Sequence, residues 1–554
     1  MVDIPSDVTT TASIGTGQIF NGEIEVASDT DWIAVTLQAG QSYQISLSTP
    51  GTTGLRDSFV SIFDASGVLV GADDDGGDRL DSQATYTPTQ TGTVYIEARS
   101  YGAGTGTYSI EVTEVDHPEF LDTINWGTQM STNVIDVYFA PEGEVVDGRT
   151  SRGWNAYEIQ QTMLALQQMS EVCDVTFQIT TVAADAEFTV ATDRSPNWLG
   201  YFNPPDTGEG SGTGVFAVNG TGWDRAAGGG LEQGGYGFIT LIHEFGHGLG
   251  LAHPHDGGGT STTWEGVTDP FDSYGTFDLN QGVYSVMSYN DGWQTNPDGE
   301  PPDLDYGFQG TMMAFDIAVL QLKYGANTSF HGGDDVYALS DQNASGTYYS
   351  CLWDTGGQDE IRYDGTAAAH IDLRSAHLGY AEGSGGYISL VSGIFGGFTI
   401  ANSVVIENAT GGGGDDDLIG NAARNVLDGR GGMDVLMGGL GRDLLSGGAD
   451  ADQFDFLTLR DSGPKVKGRD QIADFVSGED HIDLSAMDGR SNGTDNDDFT
   501  WIEGDAFNGV RGELRWHQVG AGVVVEADRN GDGIADFTLL LAGIDEVAQG
   551  DFTL

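Results

Sequence analysis

The sequence predicts a multidomain, β-rich fold. An N-terminal β-sandwich spans residues 1–116, an α+β domain spans 117–330, and a C-terminal parallel β-roll with β-sandwich spans 331–554. Three observations predict this. Short alternating apolar and polar runs without a helical period fill the first segment. Helix-period runs mixed with strand-like runs fill the second. A nine-residue Gly/Asp repeat runs through the third. At roughly 150 residues per domain, a chain of 554 residues accommodates three or four such units.

Charge narrows the partners. There are 84 acidic residues against 21 basic ones, a formal net charge of -63. That balance excludes nucleic acid and anionic membranes as binding partners. It points to cations instead, with hard, oxygen-seeking Ca²⁺ first. Composition does not suggest disorder, because 38% of residues are hydrophobic. The two cysteines, Cys173 and Cys351, exclude a disulfide scaffold and a four-Cys zinc site, and leave one bridge open. No apolar run is long enough for a transmembrane helix. The start, Met1-Val2-Asp3-Ile4-Pro5, lacks the basic and apolar regions of a cleaved signal peptide.

In the first segment, strands are expected at Trp32–Leu37, Tyr43–Leu47, Phe59–Phe63, Thr93–Ala98 and Tyr108–Val112. The run from Ser28 to Trp32, the acidic run Asp73–Asp78 and the run Gly92–Ile96 resemble the bacterial pre-peptidase C-terminal domain family. The Asp73–Asp78 run is either a calcium site or a solvated turn.

The second segment carries the chemistry. Helices are expected at Trp154–Cys173, Gly235–Leu249 and Met312–Tyr324, and strands at Val134–Ala140, Val175–Val182 and Ala186–Ala191. The middle helix holds His243-Glu244-Phe245-Gly246-His247. Positions i and i+4 share one helix face, so both imidazoles can reach one Zn²⁺. Glu244 then sits beside the open coordination position as a candidate general base. The motif continues through Gly250 to His253-Pro254. Gly250 ends the helix and turns the chain, which returns His253 as a third ligand. His255 follows closely, but three protein ligands and water already fill a tetrahedral site. Ser285-Val286-Met287-Ser288-Tyr289 fits a Met-turn, with Met287 as an apolar floor and Tyr289 placing its hydroxyl near the metal.

In the third segment, Asp416, Asn425, Asp434, Asp443 and Asp452 stand nine residues apart, and Leu418, Leu427, Leu436, Leu445 and Phe454 each follow two places later. This is the nonapeptide of a Ca²⁺-binding parallel β-roll. Glycine permits the turn, turn carbonyls and Asp oxygens supply hard ligands, and the apolar residues point inward. Stacked carboxylates repel without a cation, so folding and Ca²⁺ binding are coupled. Asp528–Asp536 resembles half of an EF-hand loop but has Leu539 where the final Glu belongs, so a calcium site and a plain turn stay open there.

From about residue 117 onward, the chain resembles the serralysins, RTX-type zinc endopeptidases of the metzincin clan. The zinc motif, the Met-turn, Tyr324–Asn327, Trp353–Asp359, the nonapeptides and the closing Asp551-Phe552-Thr553-Leu554 carry this resemblance. It implies an α+β metzincin protease domain followed by a Ca-binding parallel β-roll. It implies one catalytic zinc on His243, His247 and His253, Glu244 as general base, and Tyr289 as a further zinc ligand that also stabilises the oxyanion. It implies a structural calcium clamp built from His331, Gly333 and Asp335 with Asp354, Gly356, Gly357 and Asp359, His331 giving only its carbonyl. Further calcium ions are implied on Gly412, Gly414 and Asp416, on Arg430, Gly432 and Asp434, on Gly439, Gly441 and Asp443, and on Gly448, Asp450 and Asp452. Arg430 and Asp450 stand where such repeats carry glycine. The resemblance further implies protein or peptide substrates lying along an edge strand near Val215–Val218, secretion through a type I machinery that reads the C-terminal residues, an extracellular location and a monomer. The rival expectation is a non-catalytic calcium-dependent adhesion or surface protein, for which Glu244 among three histidines would have no use.

Overall fold

The computed structural model describes residues 4–554, leaving aside 27–28, 39–42, 50–53, 56–57, 66, 74–80, 87, 89–90, 101–103, 115–118, 206–207, 209, 380 and 490–496. His117 and the acidic run after Asp73 therefore lie outside the described residues.

The N-terminal segment is a sandwich of two four-stranded antiparallel sheets. One holds Ile19–Ile24, Gly106–Glu114, Tyr43–Ser48 and Ser82–Tyr86 in that order; the other holds Thr30–Leu37, Gly92–Ser100, Ser58–Phe63 and Leu69–Asp73. Their inward residues, including Ile33, Ile45, Ile62, Ile96 and Ile110, form a separate buried core. The period-2 alternation of Gly92–Ser100 and Gly106–Glu114 appears directly in their alternating burial. Three strands lacked a clear alternating signal: Ile19–Ile24, Leu69–Asp73 and Ser82–Tyr86. In Ser82–Tyr86, Ser82, Ala84 and Tyr86 face the core, and the Ser58 and Ser82 hydroxyls bond each other there at 2.9 Å.

The central segment holds a five-stranded sheet in the order Thr176–Thr180, Val134–Phe139, Phe188–Asp193, Thr213–Ala217 and Gly200–Phe202. The first four strands run parallel and the last is antiparallel. Helix α1, Ala156–Val172, is capped by Asn155, whose side chain accepts the Glu158 N–H at 2.9 Å while Glu158 accepts the Asn155 N–H at 2.8 Å. Helix α2 spans Tyr236–Gly248 and α3 spans Ala314–Tyr324. All three lie within the expected ranges. One expectation is corrected. The strand at Val215–Val218 is not an edge, because Tyr201 pairs with Val215 and Gly200 with Phe216. The edge on that side is Gly200–Phe202, a three-residue strand with little sequence signal of its own, and Thr176–Thr180 is the opposite edge.

The C-terminal segment coils. Three-residue strands recur at Asp417–Ile419, Val426–Asp428, Val435–Met437 and Leu444–Ser446, alternating between a nine-stranded and a ten-stranded sheet. Each pairs in parallel with the strand two repeats on, as Leu418 with Leu436 and Leu427 with Leu445. Two repeats therefore make one turn of the coil, and Leu418, Leu427, Leu436, Leu445 and Phe454 fill its interior, fully buried. Phe552–Thr553 joins as an outer strand beside Ile482–Asp483. The buried core runs without a break from Leu121 through α2 to Phe552, across residue 330. Cys173 and Cys351 are both free and buried, which settles the open bridge.

We expect Leu436→Ala to destabilise the coil by about 2–5 kcal/mol, because the flanking strands are tied by parallel ladders and cannot close the cavity. Denaturant unfolding followed by tryptophan and circular-dichroism signals checks this; a cost near that of a surface substitution would contradict the packing.

Candidate metal centre

Helix α2 is almost wholly buried, and its exit builds the site. Leu249 caps it, and Gly250 follows at φ 89°. No side chain fits at Gly250, since a Cβ would lie 2.1 Å from the Thr128 carbonyl oxygen. The turn brings His253 back over the helix. The Nε2 atoms of His243 and His253 are 3.1 Å apart, and those of His247 and His253 are 2.9 Å apart. Three lone-pair-bearing nitrogens thus face one point, at separations that suit ligands of a single ion.

The other ring nitrogens are also held. His243 Nδ1 donates to the Val286 carbonyl at 2.8 Å and His247 Nδ1 to the Leu251 carbonyl at 3.0 Å. His253 Nδ1 faces Asp256 Oδ2 at 3.2 Å. These contacts set the tautomer that leaves each Nε2 free to coordinate. Burial holds the His243 imidazole well below its usual range and pushes His247 down to about 3, with the neighbouring imidazoles adding to the effect. Both rings are therefore neutral, the state that binds a metal.

Glu244 is buried beside them. Burial pushes its carboxyl up to about 8, opposed by a hydrogen bond from the Phe202 N–H. The edge strand passes directly over it, and a Cβ at Gly200 would lie 2.9 Å from Glu244 Cγ. Tyr289 closes the other side, its ring 4.8 Å from that of His253 and 5.5 Å from that of His243. Burial, then the Glu244 charge, pushes its phenol up to about 12. Met287 is fully buried under α2, where Gly246 leaves room for its sulfur: a Cβ there would lie 2.8 Å from Sδ. His255 stands outside the cluster, stacked on His253 at 4.7 Å and against Tyr289 at 4.4 Å.

Sequence reasoning missed Asp316. Its Oδ2 accepts the N–H groups of Val286 and Met313 at 2.7 and 3.0 Å, and its Oδ1 accepts the Ser285 hydroxyl at 2.7 Å. It ties α3 to the loop whose carbonyl orients His243. An acid at the third position of a helix was the available signal.

In the coil the expected residues come together in two carboxylate ladders. Asp434 Oδ1 accepts the Asp416 N–H at 2.8 Å, Asp452 Oδ1 the Asp434 N–H at 3.0 Å, and Asp443 Oδ1 the Asn425 N–H at 2.8 Å. The second oxygens of Asp434, Asp443 and Asp452 are buried without a hydrogen-bond partner, as a cation site requires. Arg430 and Asp450 adopt φ 72° and 81°, the left-handed conformation of the glycines they replace. The ladders extend past the regular repeat to Asp470 and Asp480, which accept the N–H groups of Asp443 at 2.7 Å and Asp452 at 3.1 Å. Both follow Gly-x and precede x-Ile, but insertions shift the nine-residue register that singles out the rest.

At the expected clamp, carboxylate oxygens of Asp335 and Asp354 converge with the His331 imidazole, where only the His331 carbonyl was expected to take part. Gly333 and Gly357 touch closely, since a Cβ at Gly357 would lie 2.1 Å from the Gly333 oxygen. Asp359 accepts the Asp335 N–H at 2.8 Å and leaves its other oxygen buried and unpartnered. The Asp528–Asp536 loop folds on itself as a turn: Asp528 accepts the N–H groups of Gly531 and Gly533, and Asp536 those of Arg529 and Asn530.

A helix presenting two histidines and a glutamate, a glycine turn returning a third histidine, and a repeat-built coil define a metallopeptidase-like architecture. Residues 322–554 match the family model described as the Peptidase M10 serralysin C terminal. Metallopeptidase AprA of Pseudomonas marginalis is 35% identical over 407 residues, covering 70% of this chain and 79% of that protein. Serralysin G of Dickeya chrysanthemi is 33% identical over 415 residues, covering 70% and 78%. Serralysin of Photorhabdus luminescens is 39% identical over 269 residues, covering 47% and 51%. The chain belongs to the serralysin family.

Asp316→Asn should cost about 1–3 kcal/mol, because its amide must turn a donor toward one of three donors. It should also lower peptidase activity by loosening Val286 under His243. Thermal unfolding and activity at saturating zinc check both; unchanged values would remove Asp316 from the support of the site.

Proposed function

We propose that this protein is a secreted zinc endopeptidase whose C-terminal coil folds around calcium. The observation that carries the reading is the convergence of the His243, His247 and His253 Nε2 atoms beside buried Glu244 and an open sheet edge. In this reading residues 1–116, 117–330 and 331–554 are the sandwich, the protease unit and the calcium roll. Three neutral imidazoles with their Nδ1 atoms fixed would hold a Zn²⁺ and leave its remaining coordination to the Tyr289 hydroxyl and solvent.

Zinc held there supplies Lewis-acid polarisation of the scissile carbonyl and acidifies the attacking water. The peptide pairs with the outward edge of Gly200–Phe202, which sets its carbonyl across the Glu244 carboxylate. Glu244 takes the proton of the attacking water and later delivers it to the leaving amine. A cation held beside it would oppose the effect of burial and favour the carboxylate as a base near neutrality. Tyr289 keeps its proton through neutral pH and donates a hydrogen bond to the oxygen that gains charge at the tetrahedral carbon.

The roll takes calcium between its turns, through the buried, unpartnered Asp oxygens and the carbonyls of the left-handed residues. Folding of the roll outside the cell, where calcium is abundant, accords with export by a type I machinery. The proposed natural state is an extracellular monomer acting on proteins or peptides.

Glu244→Ala should abolish casein cleavage while zinc content stays near one per chain. Cleavage that survives this substitution would overturn the mechanism and favour the adhesion reading.

The roll predicts a pH dependence. Without a cation, burial pushes Asp434 up to about 6 and Asp359 and Asp452 up to about 7, and neighbouring acids add to this. These folded-state values lie above the ordinary carboxylate value, so the folded roll binds protons that the unfolded chain releases. The stability this gives is present below about pH 4 and is lost as pH rises through about 6 to 7. In chelator, the roll should therefore melt at progressively lower temperature from about pH 5 to about pH 8. Saturating calcium should abolish that trend. A calcium-free roll indifferent to pH would contradict the ligand assignment.

A further inference from the structure

The chain just after the sandwich reaches the metal centre. A short 3₁₀ turn, Glu119–Ile124, ends against the turn that carries His253. The Ala252 N–H donates to the Ile124 carbonyl at 2.8 Å, and the Trp126 N–H donates to the Gly250 carbonyl at 3.0 Å. Asn125 thus pairs with Leu251 in an isolated antiparallel bridge. Leu251 is the residue whose carbonyl holds His247 Nδ1. One bridge therefore supports two of the three histidines.

The segment grips further along. The Trp126 carbonyl accepts the Thr260 N–H at 3.0 Å. Its ring lies where side chains would otherwise stand, since a Cβ at Gly258 would be 2.1 Å from Trp126 Cζ3. Lys323 of α3 donates to the Thr128 carbonyl at 2.8 Å. The Tyr324 hydroxyl donates to the Leu249 carbonyl and accepts the Met130 N–H, each at 2.9 Å. The turn from Gly250 to Thr260 is clasped between this segment and the end of α3.

The two histidines on α2 depend on that device less than His253 does. His243 and His247 are fixed by α2 itself, whose backbone ladder sets their spacing. His253 sits on a turn rich in glycine, and its Nδ1 partner Asp256 is exposed. Without an outside support, the third nitrogen would sample many positions, and zinc affinity would fall accordingly.

We propose that residues 121–130 form a positioning strap that holds the third zinc ligand in place, with Trp126 as its anchor. The strap then belongs to the protease unit. Any loss of the N-terminal sandwich that preserves the metal centre must leave Leu121 onward intact. This rests on the zinc reading above.

The test uses the full-length, calcium-loaded protein. Trp126→Ala removes the ring, Gly258→Ala pushes against it, and Trp126→Phe restores part of the contact. Zinc affinity is measured by competition with a coloured chelator, and kcat and KM are measured at limiting and at saturating zinc. Trp126→Ala and Gly258→Ala should each weaken zinc binding by about 10- to 100-fold, the range seen when support of a metal ligand is lost. Trp126→Phe should fall between them and the parent, KM should stay constant, and excess zinc should restore most of kcat. Zinc affinity equal to the parent in both Trp126→Ala and Gly258→Ala overturns the strap. Circular dichroism and a thermal melt separate local loosening from unfolding, because unfolding lowers both signals and is not reversed by zinc. His253→Ala keeps the two readings apart. If it binds zinc as tightly as the parent, the ligand assignment fails. If it loses zinc while the Trp126 variants do not, the strap alone fails.

Discussion

Everything in the central segment turns on three imidazole nitrogens facing one another at about hydrogen-bond distance. Neutral Nε2 atoms present lone pairs that repel, and no hydrogen bond among them can satisfy all three. The fold holds them there by fixing the opposite side of each ring. Val286 and Leu251 carbonyls hold two of them, and the Asp256 carboxylate holds the third. A cation at the shared point would relieve that repulsion. The positioning chain extends outward from it: Asp316 fixes Val286, and the bridge to Asn125 fixes Leu251.

The coil repeats the same logic with oxygen in place of nitrogen. Asp434, Asp443, Asp452 and Asp470 each use one oxygen to accept the N–H of a neighbouring turn and leave the other buried without a donor. Burying an unpaired carboxylate oxygen is costly, and stacking several adds mutual repulsion. The core of inward leucines sets the spacing, and the acids then have no arrangement that separates them. Nitrogen ligands suit a borderline ion such as zinc, and the all-oxygen set suits a hard one such as calcium, so in the proposed reading donor chemistry would sort the two metals.

How much of this was legible in the sequence follows from how local each feature is. The nine-residue register put Leu418 to Phe454 in the core and Asp416 to Asp452 on the turns because a coil repeats its geometry with its sequence. The i, i+4 histidines and Gly250 were legible because helix geometry fixes what they can reach. Asp470 and Asp480 escaped because insertions broke the register. Gly200–Phe202 escaped because a three-residue edge strand buries too little to leave a period; the Val215–Val218 edge came from the family resemblance and is covered by that strand. Asp316 and the Ile124–Trp126 strap are long-range partners. They lie 30 or more residues, and more than 120 residues, from what they support. No local pattern marks such a pair.

The central claim is a set of three imidazole ligands around one zinc. X-ray absorption at the zinc edge, on protein saturated with calcium and loaded with one equivalent of zinc, reads that set directly. The account predicts three imidazole nitrogens at about 2.0–2.1 Å, completed by oxygen. A first shell made of oxygens alone, or one with fewer than two imidazoles, would contradict it.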